Sequence, residues 1–358
     1  MNDTLTSISG LRVGHYQRSG RGWLTGTTVV FAPRGATAGV DVRGGGPGTR
    51  ETELLRPENL VQQVHAICLS GGSAFGLAAA DGVMRRCAEL GVGLSVGPAA
   101  HEVVPIVPAA IIFDLGRGGT FDNHPTAEFG YQATAVASRR PVRSGNVGAG
   151  TGAVTCGLKG GVGNACRTLP DGTIVSALAV VNAAGSLVNP DSGLPWLAAH
   201  GPAALGLRRP DREDRRRLRE VVSPRLDNYG LSTQGVPSLN TTIGVVATTA
   251  ALSKAECTKL AQVAQDGLAR AANPSHLLVD GDTVFALATA TNASEPVPAS
   301  TAANSLAGPG TRAGYVNRLL SVGAEVFAAA CLDALLSARS AGGFPAYREL
   351  CPSAFVAG

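Results

Sequence analysis

Apolar residues in this chain are concentrated in short runs of strand-like length, several of which are apolar at consecutive positions. Such runs are typical of strands covered on both faces, because alternation disappears when neither face meets water. The sequence therefore predicts buried sheets rather than sheets with one exposed face. The predicted strands are 27–31, 39–42, 65–69, 106–113, 173–181, 242–248 and 283–289.

Helical patterns are fewer and are scattered among these runs, at 73–90, 126–138, 253–272 and 317–339. The third opens with Ser253-Lys-Ala-Glu256, a capping box that predicts a helix start. The last is apolar almost throughout, as expected for a helix buried between layers. Strands and helices do not alternate regularly, so their order favours stacked sheets between helical layers over a doubly wound parallel sheet.

One stretch interrupts the apolar pattern with dense charge. Residues 207–237 carry most of the closely spaced charges of the chain. Their first half predicts an exposed helix with mixed charges, and their second half, with Pro, Asn, Gly and Ser, predicts a loop. This loop ends at Asn240, directly before a predicted buried strand, and we expect it to be accessible and mobile. Composition alone favours an ordinary surface excursion.

Composition narrows the class of protein. The chain has 358 residues, of which 16% are charged, 4% are aromatic and 47 are glycine, a balance typical of a compact globular protein. The net charge of +4 is mild and the basic residues form no stripe with aromatics, so we expect no nucleic-acid partner. Neither a run of about 18 apolar residues nor a signal-peptide layout is visible, so we expect no membrane span.

Motifs for common cofactors and metals are missing. There is no P-loop and no G-x-S-x-G, and the GAGTG at 148–152 lacks the third spacing of a dinucleotide fingerprint. The six histidines form no metal-ligand pattern, so neither a cofactor nor a metal is expected. The seven cysteines contain no C-x-x-C and mostly lie in apolar runs, which predicts reduced, buried thiols in a cytoplasmic protein.

The stretch SLNTTIGVVAT at 238–248 places two threonines at the head of a predicted buried strand. Asn-Thr-Thr is formally a glycosylation sequon, and threonine is also an ordinary strand residue. A third interpretation is that the protein breaks its own Asn240–Thr241 bond. A freed α-amine has a pKa of about 8 and can activate the hydroxyl of the same threonine, so that no histidine is needed.

Several further blocks occur in order along nearly the whole chain. They are RGGGPGTRETE at 43–53, CLSGGSAFGL at 68–77, VPIVPAAIIFDLG at 104–116, LKGGVG at 158–163 and DGDTVFALAT at 280–289. Together with SLNTTIGVVAT, they resemble the L-aminopeptidase/D-esterase family of DmpA type, which includes β-peptidyl aminopeptidases and nylon-oligomer hydrolases.

This resemblance implies a self-processing amidohydrolase with an αββα sandwich and no cofactor. It implies one domain over 1–358 that is cut into an α chain, 1–240, and a β chain, 241–358, with 207–240 as a mobile linker before the cut. The expected substrates are small peptides, amides, esters or ω-amino-acid oligomers, cleaved at N-terminal residues. Homo-oligomers, in particular tetramers of αβ units, are expected by the same analogy.

The resemblance also assigns roles to particular residues. Thr241 matches the nucleophile, and Asn182 matches an amide that donates to the developing oxyanion, although a turn residue would suit its position too. Asp280 and Asp282 match an acidic pair that would hold the Thr241 hydroxyl and amine in line. The alternative for D-G-D is a turn before a strand.

Three positions match the family less well. The family lysine falls on either Lys159 or Gly157, and Lys159 is our choice against a purely structural lysine. Phe75 stands where relatives often carry Tyr, and it is a candidate residue of the substrate pocket. For Arg50 and Glu51 of GTRETE we expect a buried ion pair that supports the glycine turn.

Two other functions fit parts of the sequence. An ornithine acetyltransferase-like protein would share cleavage before Thr and the acyl-enzyme but would pass the acyl group to an amine. A chain that stays uncleaved would be a binding or scaffold protein of the same fold. The blocks at 43–53 and 68–77, and the presence of all the site residues, favour the hydrolase.

Overall fold

The computed structural model describes residues 2–198, 205–227, 240–292 and 311–356. The helices are α1 (Ala79–Glu89), α2 (Ala127–Ala135), α3 (Arg212–Asp227), α4 (Lys254–Ala271), α5 (Arg312–Ser337) and α6 (Tyr347–Leu350). The longer strands are β1 (Arg12–Gly20), β2 (Trp23–Val42), β4 (Gln63–Ser70), β10 (Gly161–Thr168), β11 (Ile174–Asn182), β12 (Thr241–Thr248) and β13 (Thr283–Ala288). The short strands are β3 (Thr49–Arg50), β5 (Leu94–Ser95), β6 (Val103–Val104), β7 (Ala109–Ile111), β8 (Val154–Thr155) and β9 (Leu158–Lys159).

The main sheet has the strand order β10-β11-β12-β13-β2-β4-β7-β3, with β1 paired to β2 outside this path. The pairs β12–β13 and β4–β7 are parallel, and the other pairs are antiparallel. The strand β2 is 20 residues long, and its register against β4 shifts between Phe31 and Ala36. Its first half pairs with β1 and β4 and its second half with β13, so β2 joins two sheet layers.

Three hydrophobic clusters separate the layers. The middle cluster contains Val30, Ile67 and Leu69 from one layer, and Leu178 and Val245 from the other. The outer clusters lie under α1 and α2 on one side, and under α4 and α5 on the other. Adjacent strand residues point to opposite sides, so each sheet is buried on both faces, which explains the continuous apolar runs. The αββα sandwich expected from the sequence is confirmed.

Most predicted elements are present with shifted bounds. The runs at 27–31 and 39–42 are parts of one strand, β2. The run at 106–113 contributes only Ala109–Ile111, because Pro105 and Pro108 cannot donate to a ladder. The helix predicted at 73–90 begins with a 3-10 turn, Ser73–Ala78, before α1. The strands β1 and β10 were not predicted, because polar residues and glycine hide their pattern.

The capping box is confirmed at the start of α4. The Ser253 side chain accepts from the Glu256 backbone, and the Glu256 side chain accepts from the Ser253 backbone. The helix α5 has the length and apolar composition to cross a membrane, but 72% of its most apolar window is buried inside the protein. It is the central helix of one outer layer. All seven cysteines are free thiols, and six of them are buried.

The charged segment 207–237 forms α3 in its first half, as predicted. Leu218 and Val222 are fully buried against the layer of α4 and α5. Asp214 accepts from the Ser353 hydroxyl at 2.5 Å and from the Ser353 backbone at 2.9 Å, which ties α3 to the C-terminal residues. The predicted loop at 228–239 lies outside the described residues, and the mobility of the linker stays a prediction.

Candidate active site

Thr241 is the first residue of β12, a central and completely buried strand. Its antiparallel partner in β11 is Asn182, so the two side chains lie on the same face of the sheet. Ile243 and Val245, which share that face, belong to the middle cluster between the sheets. Thr242 points to the opposite face, towards the layer of α4 and α5. The strand period therefore brings Thr241, and not Thr242, onto the face that carries Asn182.

The Thr241 hydroxyl donates to the carbonyl oxygen of Asn240, the residue before it. The same carbonyl oxygen accepts from the backbone N–H of Gly281 at 2.9 Å. Asn240 is held from its other side, since its N–H donates to Val279 at 3.1 Å. The peptide bond before Thr241 is thus fixed between β12 and the chain that leads into β13, with the hydroxyl against its carbonyl.

The acidic pair Asp280 and Asp282 lies beside this peptide, and both carboxylates are buried. Asp282 accepts from the Thr242 backbone at 2.7 Å, and Asp280 accepts from the Ala184 backbone at 3.1 Å and from the Leu277 backbone at 2.9 Å. The pair therefore holds the backbone around Thr241. The Thr241 hydroxyl itself is engaged by Asn240 in this intact chain.

The pKa of Asp280 is raised to about 6, first by burial and then by the negative charge of Asp282. Backbone donors and His276 act in the opposite direction. Because the two carboxylates lie two residues apart in a buried loop, protonation of one relieves the repulsion on the other. The pair therefore binds a proton more readily than two exposed carboxylates would.

His276 is a site residue that the sequence analysis missed. Its Nδ1 lies 2.8 Å from Asp282, and its backbone N–H donates to the same carboxylate oxygen at 3.1 Å. It adopts a left-handed backbone with φ of 60°, uncommon for a residue other than glycine. The only signal available in the sequence was a histidine six residues before Asp282, in a segment that resembled a turn.

The Asn182 side chain is completely buried, and its two ends differ. Its Oδ1 accepts from Arg117 Nη1 and, at 3.0 Å, from the Val154 backbone. Its Nδ2 is buried and has no hydrogen-bond partner among the described residues. A buried N–H without a partner is costly, and in this position it is a donor available to an oxygen atom that arrives during a reaction.

Arg117, which is partly buried, and the buried Asp114 form an ionic layer behind Asn182. Arg117 Nη1 also donates to Gly152 at 2.7 Å, and burial lowers the pKa of Arg117 to about 10. Asp114 accepts from the Gly72 backbone at 2.7 Å, and burial raises the pKa of Asp114 to about 6. Both residues follow the apolar run 104–113 in FDLGR, where a charged pair directly after a strand was the overlooked signal.

Lys159 is completely buried on β9, opposite Val154 of β8. Its Nζ donates to three backbone carbonyls, Gly150 at 3.0 Å, Ala153 at 2.8 Å and Gly160 at 2.8 Å. Burial, followed by the charge of Arg117, lowers the pKa of Lys159 to about 7. Lys159 thus lies in the layer behind Asn182. It is linked to Asn182 through its strand partner Val154, whose N–H donates to Asn182 Oδ1.

Gly157, the alternative position for the family lysine, lies in the turn between β8 and β9. It has φ of 86°, and a Cβ there would collide with the guanidinium of Arg225. The left-handed backbone at this position favours glycine, and Lys159 is the lysine that the fold places near the site.

The glycine-rich block at 43–48 covers the loop that carries the acidic pair. The Gly45 N–H donates to Leu277 at 3.2 Å, and the Gly46 N–H donates to Asp280 at 2.8 Å. A Cβ on Gly44 would collide with the backbone of Asp280 and Asp282. Glycine is required at Gly44 because two backbone segments pass this close, and the contact fixes the loop against Thr241.

Phe75, Arg50 and Glu51 are the remaining residues that the sequence singled out. Phe75 is 57% exposed and stacks on His124, with ring centroids 4.9 Å apart, and its place in a substrate pocket stays a prediction. The expected Arg50–Glu51 ion pair was wrong. Arg50 pairs with Asp81 of α1 at 2.5 Å, while Glu51 accepts from the Val107 backbone at 3.1 Å. Adjacent residues of a strand end point in different directions, so these two side chains diverge.

These groups have the chemistry of acyl transfer. A hydroxyl lies against a fixed carbonyl, a backbone N–H and an unpartnered amide supply donors, and carboxylates order the surrounding backbone. In the part of the chain that the structure describes, no three His, Cys, Asp or Glu side chains are grouped to hold a metal ion. The αββα sandwich thus carries a site with the chemistry of an amide hydrolase.

Comparison with known proteins gives the family. The profile of peptidase family S58 matches residues 3–348, and the chain belongs to that family. An uncharacterized aminopeptidase of Mycobacterium bovis is 47% identical over 361 residues, which cover 99% of both chains. A 6-aminohexanoate-oligomer endohydrolase of a Kocuria species is 29% identical over 288 residues, 78% of this chain and 73% of that protein.

Solved structures confirm the fold. A β-aminopeptidase of a Burkholderia species has a TM-score of 0.67 at 24% identity, with 99% of this chain and 93% of that chain covered. The L-aminopeptidase D-Ala-esterase/amidase of Ochrobactrum anthropi has a TM-score of 0.65 at 18% identity, covering 94% and 86%, and is described as a variant of the Ntn-hydrolase fold. The resemblance seen in the sequence is confirmed, and the protein is a peptide or amide hydrolase.

Proposed function

We propose that this protein cuts its own Asn240–Thr241 bond and then uses Thr241 as an N-terminal nucleophile to hydrolyse amide bonds. The observation that carries the proposal is the hydrogen bond from the Thr241 hydroxyl to the Asn240 carbonyl, at the head of a buried strand.

Self-cleavage begins with attack of Thr241 Oγ1 on the Asn240 carbonyl carbon. The Gly281 N–H, 2.9 Å from that carbonyl oxygen, stabilises the negative charge that develops there. The C–N bond breaks, the Thr241 nitrogen takes up the hydroxyl proton, and an ester joins the two residues. Water hydrolyses the ester, leaving a carboxylate on Asn240 and a free amine on Thr241.

Substrate hydrolysis reuses the same atoms. The Thr241 amine takes the proton of its own hydroxyl, which attacks the substrate carbonyl. The unpartnered Asn182 Nδ2 donates to the resulting oxyanion. The leaving amine departs with a proton, and water releases the acyl group from Thr241. Asp280 and Asp282 keep the new chain end in place through the backbone contacts that they already make.

We propose N-terminal residues of small peptides, amides or ω-amino-acid oligomers as substrates. Support comes from relatives named aminopeptidase, β-aminopeptidase and 6-aminohexanoate-oligomer endohydrolase. We further propose a cytoplasmic homo-oligomer, in line with seven free thiols and with the family resemblance. Light scattering of the purified protein tests the oligomer.

The deciding experiment compares two nearly isosteric variants, Thr241→Val and Thr242→Val. Purified protein is followed on denaturing gels and by mass spectrometry, and activity is measured with aminoacyl anilides, β-peptides and 6-aminohexanoate oligomers. Wild type is expected to give two bands, corresponding to 1–240 and 241–358. Thr241→Val is expected to remain a single inactive chain of 36.1 kDa, whereas Thr241→Ser retains partial cleavage.

Thr242→Val is the matched control because the Thr242 hydroxyl is buried without a partner among the described residues. Its removal is expected to leave cleavage and activity close to those of wild type. A fully active wild type that remains one uncut chain would overturn the proposal and favour a different nucleophile. Acetyl transfer from acetylornithine to glutamate without amide hydrolysis would favour the transferase.

A further inference from the structure

We propose that Arg117 is a positioning residue that sets the orientation of the Asn182 amide and thereby its capacity to stabilise the oxyanion. This inference rests on the proposed function, in which Asn182 Nδ2 is the donor. Arg117 lies 65 positions before Asn182 in the sequence, in the layer behind the site.

The neighbours of the Asn182 side chain identify its amide atoms. Arg117 Nη1 and the Val154 backbone N–H both point at one end of the Asn182 side chain. Both are donors that carry no lone pair, so the atom that they share must be an oxygen. The nitrogen end is thereby assigned by chemistry, and it is the end without a partner among the described residues.

The fixed oxygen of Asn182 also determines where its nitrogen, Nδ2, points. The two ends of a planar amide diverge, so fixing Oδ1 against Arg117 turns Nδ2 away from the ionic layer. Asn182 is the register partner of Thr241 on the same face of the sheet. An amide rotated by half a turn would place its NH₂ against two donors and an oxygen in the site, and would repel an oxyanion there.

Arg117 is itself held in place by its surroundings. The same Nη1 donates to the Gly152 carbonyl at 2.7 Å, so its two hydrogens are used by two fixed acceptors. Arg117 is partly buried, and the negative charge of the Asp114 carboxylate favours its charged form. The Asp114 carboxylate is anchored in turn by the Gly72 backbone. The Val154 N–H alone gives the amide one donor, and Arg117 supplies the charged second one.

A double-mutant cycle tests this role. Arg117→Met, Asn182→Ala and the combination are made in the full-length chain, and both the rate of self-cleavage and the kcat and KM for an aminoacyl anilide are measured. Loss of one oxyanion donor lowers kcat by about 10²–10³-fold, and we expect that range for either single variant with KM changed little. In the Asn182→Ala background, adding Arg117→Met is expected to change kcat by less than about threefold.

Arg117→Lys provides the conservative test if Arg117→Met folds poorly, since it retains the charge and one donor direction. It is expected to recover part of the lost kcat, and only when Asn182 is present. Arg312→Met is the matched control, because Arg312, like Arg117, donates to one side chain and one backbone carbonyl, here those of Glu256 and Ala251 on the far outer layer. It is expected to lower the melting temperature without lowering kcat.

The outcomes separate the two proposals. If the fold-losses in kcat of the two single variants multiply in the double variant, or if Arg117→Met is fully active, the role of Arg117 is overturned while the proposed function stands. An active wild type in which Asn182→Ala also retains full activity would remove Asn182 from the mechanism, and Arg117 with it. A wild type without self-cleavage or amide hydrolysis would refute the proposed function itself.

Discussion

Gly281, the glycine between the two site aspartates, leaves the space that the Thr241 hydroxyl needs, and we expect a side chain at this position to slow self-cleavage. A Cβ at Gly281 would lie 2.8 Å from Thr241 Oγ1, 2.8 Å from the Gly46 carbonyl oxygen and 3.2 Å from Pro47 Cα. Its backbone does not lie in the left-handed region, so alanine is compatible with the local conformation. The substitution also retains the N–H that donates to Asn240. Gly281→Ala therefore tests the space between the Thr241 hydroxyl and the Gly46 carbonyl.

The magnitude follows from these distances. Ordinary contacts of a Cβ begin near 3.4 Å, so relief of a 2.8 Å contact requires a displacement of about 0.6 Å. A misplacement of about 1 Å can cost 10²-fold in rate, so we expect self-cleavage to slow by about tenfold or more. Overpacking of this kind typically costs about 1–3 kcal/mol of stability. The variant should therefore fold, with a melting temperature a few degrees below that of wild type.

The assay is a time course of the uncut chain on denaturing gels, with the melting temperature measured on the same samples. Gly46→Ala is the matched control, because Gly46 faces Gly281 across the same gap. A Cβ on Gly46 would meet its nearest neighbour, the Leu278 carbonyl oxygen, at an ordinary 3.4 Å. It is expected to process within about twofold of wild type. Cleavage of Gly281→Ala at the wild-type rate, or equal damage in both variants, would refute the reasoning.

Two further predictions concern buried charges. The pKa of Lys159 falls from 10.5 to about 7 on folding, so the unfolded chain binds more protons between these pH values. Relative to Lys159→Met, wild type should gain about 1.4 kcal/mol of stability per pH unit over that window. Denaturant unfolding of both proteins at pH 7, 8.5 and 10 measures this gain, and a difference in stability that is the same at all three pH values would contradict it. Asp214→Asn removes the charged acceptor of Ser353 and should destabilise the protein by about 2–3 kcal/mol, measured by denaturant unfolding. An unchanged midpoint, or an equal loss in the exposed control Asp227→Asn, would show that the tie between α3 and the C-terminal residues contributes little.

Local rules accounted for much of the fold. The apolar run 242–248 became β12 because a strand buried on both faces needs apolar residues at every position. The capping box at Ser253 started α4 because its donors and acceptors lie within one turn. By contrast, β1 begins Arg-Val-Gly-His-Tyr-Gln and β10 begins with two glycines separated by one residue, and both pair through backbone groups that leave no apolar period.

The residues of the site also divide into those that the sequence revealed and those that it did not. Thr241, Asp280 and Asp282 stood out because they lie in short motifs whose residue types suggest chemistry. His276 did not, because its contact with Asp282 depends on a left-handed turn that six residues of sequence do not reveal. The predicted Arg50–Glu51 pair failed for the opposite reason, since adjacency in sequence was mistaken for adjacency of side chains.

The sequence by itself determined the layered class of fold, the position of the threonine at a strand head and the family. These depend on periodicity, turn chemistry and motifs, which act over a few residues. Only the tertiary structure decided which face Thr241 shares with Asn182, and that Arg117 and Val154 hold the oxygen end of that amide. Strand register and the burial of charges depend on contacts between distant segments, and the free energy of those contacts exists only once the layers have closed.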